Sequence, residues 1–294
     1  MSVAFSQTQP WPQAQAVTAL IGQNLASLKS LSRAPEAAPI WEGTVVGTTL
    51  ERQVWLQPPS VMHQNSAELQ SAEWLTLPPQ LPQLSVPGIL LMDMDSTAIQ
   101  IECIDEIARR GGIYQQVAEV TEQAMQGQLD FREALTQRVA LLAGIPATVL
   151  TEIAAELPLM PGLISLCQQL QRHGWVLAIA SGGFMAIASV LAAQLGIDHY
   201  YANELEVIDG HLSGRVLGPI VDASRKAEIL AELGALHQIP QSQWVAVGDG
   251  ANDLPMLAAA QLGIGFHAKL TVAEQADVAI HRLGLDTILG CLRP

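Results

Sequence analysis

The stretch Gly88-Ile89-Leu90-Leu91-Met92-Asp93-Met94-Asp95-Ser96-Thr97 decides the fold. Its apolar half is a short unbroken run, the pattern of a strand buried on both faces, and it stops at two carboxylates spaced by one residue. Runs of the same kind stand at Trp175–Ala180, Trp244–Val247, Gly263–Phe266 and Asp277–Ile280, with helical stretches at Pro161–His173, Phe184–Leu195 and Ser224–Leu236. This alternation predicts an α/β fold, a Rossmann-like parallel sheet with helices on both faces. Residues 98–157 break the rhythm. Three helical patterns follow one another there: 98–110, closed by Gly111-Gly112, then 113–126, then 130–143, opened by the capping box Asp130-x-x-Glu133. A helical insert after the first strand predicts a small cap over the carboxyl edge of the sheet. Farther on, Asp209-Gly210 between Leu205-Glu206-Val207 and Leu212 predicts a hairpin with a two-residue turn.

Upstream of this stretch the chain changes character. Residues 1–86 hold nine of the 17 prolines, four of the six tryptophans and no aspartate, whereas all eleven aspartates lie at or beyond Asp93. A boundary at 84–87 divides an N-terminal module, 1–86, from a core of 87–294. In the module, Val17, Leu20, Ile21, Leu25, Leu28 and Leu31 have helical spacing, and Thr44-Val45-Val46 and Gln53-Val54-Trp55-Leu56 read as strands. The expectation is a small α+β module without chemistry of its own.

The net charge of −14 over 294 residues disfavours nucleic acid and anionic membrane surfaces as partners. Gly174–Ile197 carries no charge, but Ser181-Gly182-Gly183 splits it into strand, turn and helix rather than a membrane span. Cys103, Cys167 and Cys291 have no metal or disulfide spacing, and no secretory signal precedes Pro12, so the cytoplasm is the expected compartment. The chain has eleven arginines but only three lysines, Lys29, Lys226 and Lys269, which makes a lysine near a motif conspicuous.

Three strands end in polar clusters: Asp93-Met94-Asp95-Ser96-Thr97, Ser181-Gly182-Gly183, and Gly248-Asp249-Gly250-Ala251-Asn252-Asp253. In a parallel sheet such ends share one edge, so the clusters converge. Asp93, Asp95 and Asp249 would crowd one volume, and a hard cation such as magnesium would relieve their repulsion. The plainer alternative is that these aspartates cap the following helices. Ser181-Gly182 ahead of a helix supplies a hydroxyl and N–H groups to an anion. Lys226 sits early in its helix, against the macrodipole, which suggests a local purpose. In the cap, Arg138 lies on the apolar stripe seven residues after Phe131, and Glu102 closely follows the first strand. A surface-snorkelling Arg138 and a solvated Glu102 are the alternatives. No dinucleotide or Walker motif occurs.

In their order, these motifs resemble those of the haloacid dehalogenase superfamily, and residues 88–294 are similar to its phosphoserine phosphatase family, with Met94 where Phe is frequent. The resemblance implies a Mg²⁺-dependent phosphomonoesterase acting on O-phospho-L-serine. It implies that Asp93 is the nucleophile and Asp95 the general acid and base, and that Asp93, the backbone carbonyl of Asp95 and Asp249 hold the metal. Ser181, the Gly182 N–H and Lys226 would stabilise phosphate, Asn252 would orient it, and Asp253 would support the loop. Glu102 would read the ammonium and Arg138 the carboxylate, with Phe131 and Met125 closing the apolar side. Many bacterial relatives carry a regulatory N-terminal α+β module, to which the Pro- and Gln-rich residues 1–86 show no clear match, and the resemblance leaves room for a homodimer. Two rivals remain at this point: a phosphatase for another small metabolite, and a phospho-acceptor signalling module.

Overall fold

The computed structural model describes residues 6–7, 16–23, 41–45, 47–55 and 72–293. They form two sheets. The first is antiparallel, with strands β1 (Ser6–Gln7), β2 (Val17–Gly22), β3 (Trp41–Thr44), β4 (Glu51–Trp55) and β5 (Ala72–Leu77) in the order β1-β3-β4-β2-β5. The second contains β6 (Ile89–Met92), β7 (Val176–Phe184), β8 (His199–Ile208), β9 (His211–Leu217), β10 (Trp244–Gly248), β11 (Leu262–Phe266) and β12 (Val278–Ile280). Its order is β12-β11-β10-β6-β7-β8-β9, parallel throughout except for β9 at the edge.

The central strand explains why the opening run is apolar throughout. All four residues of β6 are fully buried. Leu90 and Met92 pack into one core cluster with Leu177, Ile179, Val245 and Val247, whereas Ile89 and Leu91 pack into another with Ala178, Ala180 and Ala246. Side chains alternate across a strand, so these are the two faces of the sheet, and helices cover both. Leu163–Arg172 and Met185–Leu195 contribute Leu166, Leu170, Ile187 and Leu191 to the first face, and Ala223–His237 contributes Ile229, Leu230 and Leu233 to the second. The uncharged stretch 174–197 is β7 and a helix, and among the described residues no helix is long and apolar enough to cross a membrane.

Between β6 and β7 the chain makes four helices, Cys103–Arg110, Tyr114–Met125, Phe131–Leu141 and Thr148–Ala155. The fourth has no counterpart in the sequence reading, because its N-cap position is Ala147, without a side-chain cap. The expected capping box at Asp130 and Glu133 is formed. The first helix starts at Cys103 rather than at 98. Ala98 N–H closes a single turn on Met94 O, but the turn does not continue, because Gln100 N–H donates to Pro158 O and Ala98 O accepts from Met160 N–H. These last two bonds tie the entry of the cap to its exit. The Asp209-Gly210 turn joins β8 to β9 with φ of 49° and 77°, the pair of positive angles that a tight hairpin requires.

One expectation fails in the N-terminal part. Val17, Leu20 and Ile21 lie in β2, not in a helix, and Leu25, Leu28 and Leu31 fall outside the described residues. β2 pairs on both sides, with β4 and β5, and is buried on both faces, so its apolar residues need not alternate. A short apolar run of this kind does not distinguish strand from helix by periodicity. The other two strand readings shift slightly: β3 ends at Thr44, before Val45, and β4 spans Glu51–Trp55; Val46 and Leu56 fall outside the described residues.

The two sheets share one core. Val17, Ala19 and Ile21 pack in the same cluster as Leu285, Ile288 and Leu292. A Cβ on Gly290 would stand 2.6 Å from Ile21 Cδ1, so the helix Thr287–Cys291 approaches the sheet closely enough that a larger residue would displace the Ile21 side chain. Two buried charges join the sheets. Arg52 donates to the carbonyls of Gly290 and Leu292, and Glu73 accepts from the N–H groups of His281, Arg282 and Leu283. Removing a buried charged acceptor strands its donors. Glu73→Ala is therefore expected to lower the unfolding free energy by about 2–3 kcal/mol in a urea titration; a change near zero would show that water replaces the carboxylate.

Candidate active site

The convergent edge is built as the topology requires. Asp93 and Asp95 follow β6, Ser181–Gly183 lie in the irregular end of β7, and Asp249 follows β10. β6 lies where the strand order reverses, with β7 on one side and β10 on the other, the usual place for a ligand crevice. A cavity of about 620 Å³ opens there between core and cap. Asp93, Asp95, Glu102, Met125, Phe131, Arg138, Ser181, Gly182, Asp249 and Asn252 all line it.

Lys226 lies beneath the floor rather than in the lining. It is fully buried, and its Nζ stands 2.7 Å from Asp93 Oδ1 and 2.7 Å from Asp253 Oδ1. Burial pulls the ammonium toward neutrality, but the two carboxylates outweigh it and hold the pKa above the ordinary lysine value. Asp93 Oδ1 also accepts from Met94 N–H at 2.8 Å, whereas Oδ2 takes no hydrogen bond among the described residues. Asp253 Oδ2 accepts from the N–H groups of Asp249 and Gly250 at 3.1 and 3.0 Å, which shapes the Asp249 loop.

The carboxylates crowd as expected, with one change of membership. Oxygens of Asp93, Asp249 and Asp253 lie within 4.8 Å of one another. The Asp95 carboxylate is turned aside, accepting from Cys103 N–H at 3.0 Å and Cys103 Sγ at 2.8 Å. Burial, followed by the charges of Asp253 and Glu102, raises Asp249 to about 6. Asp93 is pushed well above the carboxylate range by burial first and Asp253 second, against Lys226. Such an all-oxygen set, carrying more negative charge than its one lysine offsets, suits a hard divalent cation. Asp93 and Asp249 have oxygen capacity for it, whereas both Asp253 oxygens are committed to protein donors. Burial and then Glu102 raise Asp95 to about 7, so it exchanges a proton near neutrality.

Above the floor, Ser181 is fully buried, and its Oγ accepts from Gly183 N–H at 2.8 Å. Gly182 lies under Phe131, whose ring would stand 3.0 Å from any Cβ there, so both glycine and the closed cap belong to this geometry. Glu102 is exposed toward the cavity, and Ser96 Oγ donates to it at 2.6 Å. Arg138 is half-buried, with Nε on Ala134 O, and burial lowers its pKa against the pull of Asp105. Met125 is mostly exposed at the rim.

Three neighbours went unread in the sequence. Asp105 lines the cavity one helical turn after Glu102, Lys269 lines it just beyond β11, and Thr97 donates to Asp249 Oδ1 at 3.2 Å. Lys269 carried a usable signal, a rare lysine at a strand end.

The haloacid dehalogenase-like hydrolase family model matches residues 88–261, and the chain belongs to that family. Within it, the chain is 48% identical over 212 residues to a phosphoserine phosphatase of Vibrio cholerae, an alignment covering 72% of this chain and 65% of the relative. It is 50% identical over 206 residues to a phosphoserine phosphatase of Idiomarina loihiensis, covering 70% and 94%. The chain thus spans slightly under two thirds of the Vibrio cholerae relative. The crystal structure of a "probable phosphoserine phosphatase" from Vibrio cholerae, in unliganded form, superposes with a TM-score of 0.82 at 38% identity. It covers 97% of this chain and 88% of the other, so the likeness runs through the N-terminal sheet.

Removing the lysine would leave Asp93 and Asp253 buried without a counter-charge. Lys226→Met is expected to cost about 3–5 kcal/mol of stability in urea unfolding; a loss under about 1 kcal/mol would mean that the pair does not hold the floor together.

Proposed function

We propose that the chain hydrolyses O-phospho-L-serine to L-serine and phosphate, the last step of L-serine biosynthesis. One observation carries the reading. Glu102 and Arg138 face one cavity whose floor is Asp93 on Lys226, so groups of opposite charge stand ready for an ammonium and a carboxylate beside a nucleophile.

In this reading, Asp93 Oδ2 attacks phosphorus in line while Lys226 and the Met94 N–H hold Oδ1 and fix the carboxylate. The bond from phosphorus to the serine oxygen breaks, and Asp95 gives that oxygen its proton. The resulting aspartyl phosphate is hydrolysed by water, whose proton Asp95 takes, so the carboxyl returns to its starting state. Mg²⁺, held by Asp93, Asp249 and the backbone carbonyl of Asp95, would supply charge neutralisation between phosphate and carboxylate. Ser181 and the Gly182 N–H stabilise the equatorial oxygens, Lys226 contributes by holding Asp93 from beneath the floor, Asn252 orients phosphate, and Asp253 holds Lys226 and the loop. Glu102 binds the substrate ammonium, Arg138 its carboxylate, and Phe131 and Met125 exclude water. The N-terminal sheet would be a regulatory module. Three buried free thiols support a reducing cytoplasmic setting.

Phosphoserine should be turned over far faster than phosphothreonine or unrelated phosphate esters, and equal rates across that panel would overturn the substrate. Asp93→Asn is nearly isosteric, so it should abolish turnover while the far-UV circular dichroism spectrum of the folded chain is retained. Arg138→Ala should damage phosphoserine hydrolysis much more than that of an aryl phosphate, and equal losses would make Arg138 structural. Chelation by EDTA should abolish turnover, with recovery on adding Mg²⁺.

A further inference from the structure

Arg132 is out of place by the logic of its own helix. It is the second residue of Phe131–Leu141, where the helix dipole disfavours a cation, and Asp130 and Glu133 already complete the capping box. Its partner lies ninety residues away on the core. Arg132 Nε and a terminal nitrogen both donate to Asp222 Oδ2, at 2.9 and 2.5 Å.

Asp222 has a second task. Its other oxygen, Oδ1, accepts from Arg225 N–H at 2.9 Å and so caps the helix Ala223–His237, four residues before Lys226. The loop leading to that cap is bonded to the phosphate-binding turn. The fully buried Asn203 accepts from Val221 N–H at 2.9 Å and donates to Gly182 O at 2.8 Å. Directly beside Arg132 in sequence, Phe131 rests against Gly182. The first turn of the cap helix therefore meets the core at two joined points, an apolar one on Gly182 and an ionic one on Asp222.

We propose that Arg132 is a positioning residue: its ion pair with Asp222 holds the closed cap in register over the phosphate-binding loops. The same helix carries Arg138 into the cavity, two turns farther on. A cap that rocks about the Phe131 contact would displace Arg138, while Asp93, Lys226 and Ser181 on the core stay where they are. The ion pair thus favours substrates whose carboxylate the cap must reach over those held by their phosphate alone. This rests on the phosphoserine reading given above.

The test is a double-mutant cycle on the full-length chain, with Arg132→Ala, Asp222→Asn and both together. Asparagine still caps a helix, so Asp222→Asn removes the ion pair and keeps the cap. Each single variant should raise KM for phosphoserine about fivefold with little change in kcat, and the double variant should lose no more than either single one. Hydrolysis of an aryl phosphate should stay within about twofold of the parent chain. Raising salt from about 0.05 to 0.5 M should shrink the difference, since Arg132 is mostly exposed. Independently of turnover, amide hydrogen exchange in residues 130–138 should quicken in both single variants. Unchanged exchange, equal losses on both substrates, or additive losses in the double variant would each overturn the proposal. If the phosphoserine reading is the part that fails, the parent chain will not hydrolyse phosphoserine, yet the exchange difference will persist.

Discussion

The buried ammonium of Lys226, shared between Asp93 and Asp253, is the interaction on which the site depends. Without it, two buried carboxylates would face each other with no counter-charge between them. The arrangement does two things at once. It fixes Asp93 through one oxygen and leaves the other without a donor among the described residues. Through Asp253 it also anchors the N–H groups of Asp249 and Gly250, so the loop after β10 is shaped by the lysine that holds the Asp93 carboxylate. Stability and chemistry therefore share one lysine, and a change there cannot spare either.

That lysine reaches the floor because of the sheet order. β6 stands between β10 and β7, so Asp93 is flanked by the Asp249 loop and the Ser181 turn although these lie far apart in sequence. The helix Ala223–His237 packs on one face of the sheet through Ile229, Leu230 and Leu233, which brings its first turn up beside the carboxyl edge. Close approach then needs small residues. Gly182 under Phe131 is the case that matters for function, since a Cβ there would stand 3.0 Å from the ring and force it to shift.

Much of this was legible in the chain. Short apolar runs that stop at polar clusters betray parallel strands and the edge they share, and the rarity of lysine singled out Lys226. What escaped did so for physical reasons. Val17–Gly22 has apolar residues at helical spacing because a central strand buried on both faces has no need to alternate. The helix Thr148–Ala155 lacks a capping side chain, so nothing marks its start. Among the carboxylates, two-residue spacing suggested that Asp95 would join Asp93 and Asp249, but the N-terminus of the helix at Cys103 draws Asp95 away and Asp253 takes its place. Residue spacing reports which groups share an edge; which hydrogen-bond donors claim them depends on elements that arrive from elsewhere.

The charge balance of the cavity finally constrains how it can work. Asp93, Asp95, Glu102, Asp105 and Asp249 line it, against Arg138 and Lys269, and the charge of Lys226 is already met by its two carboxylates. A phosphate dianion entering this space would meet net negative potential, in a chain whose overall charge of −14 repels it as well. Attraction must be created locally and on demand. A divalent cation held by Asp93 and Asp249 would reverse the sign at the floor, while protonation of Asp95 near neutrality removes one negative charge and, in the proposed reaction, would supply the proton that the departing oxygen requires. The abundance of acid in the site is thus a reason for the metal, and the repulsion it leaves at the rim favours a substrate that brings an ammonium group of its own.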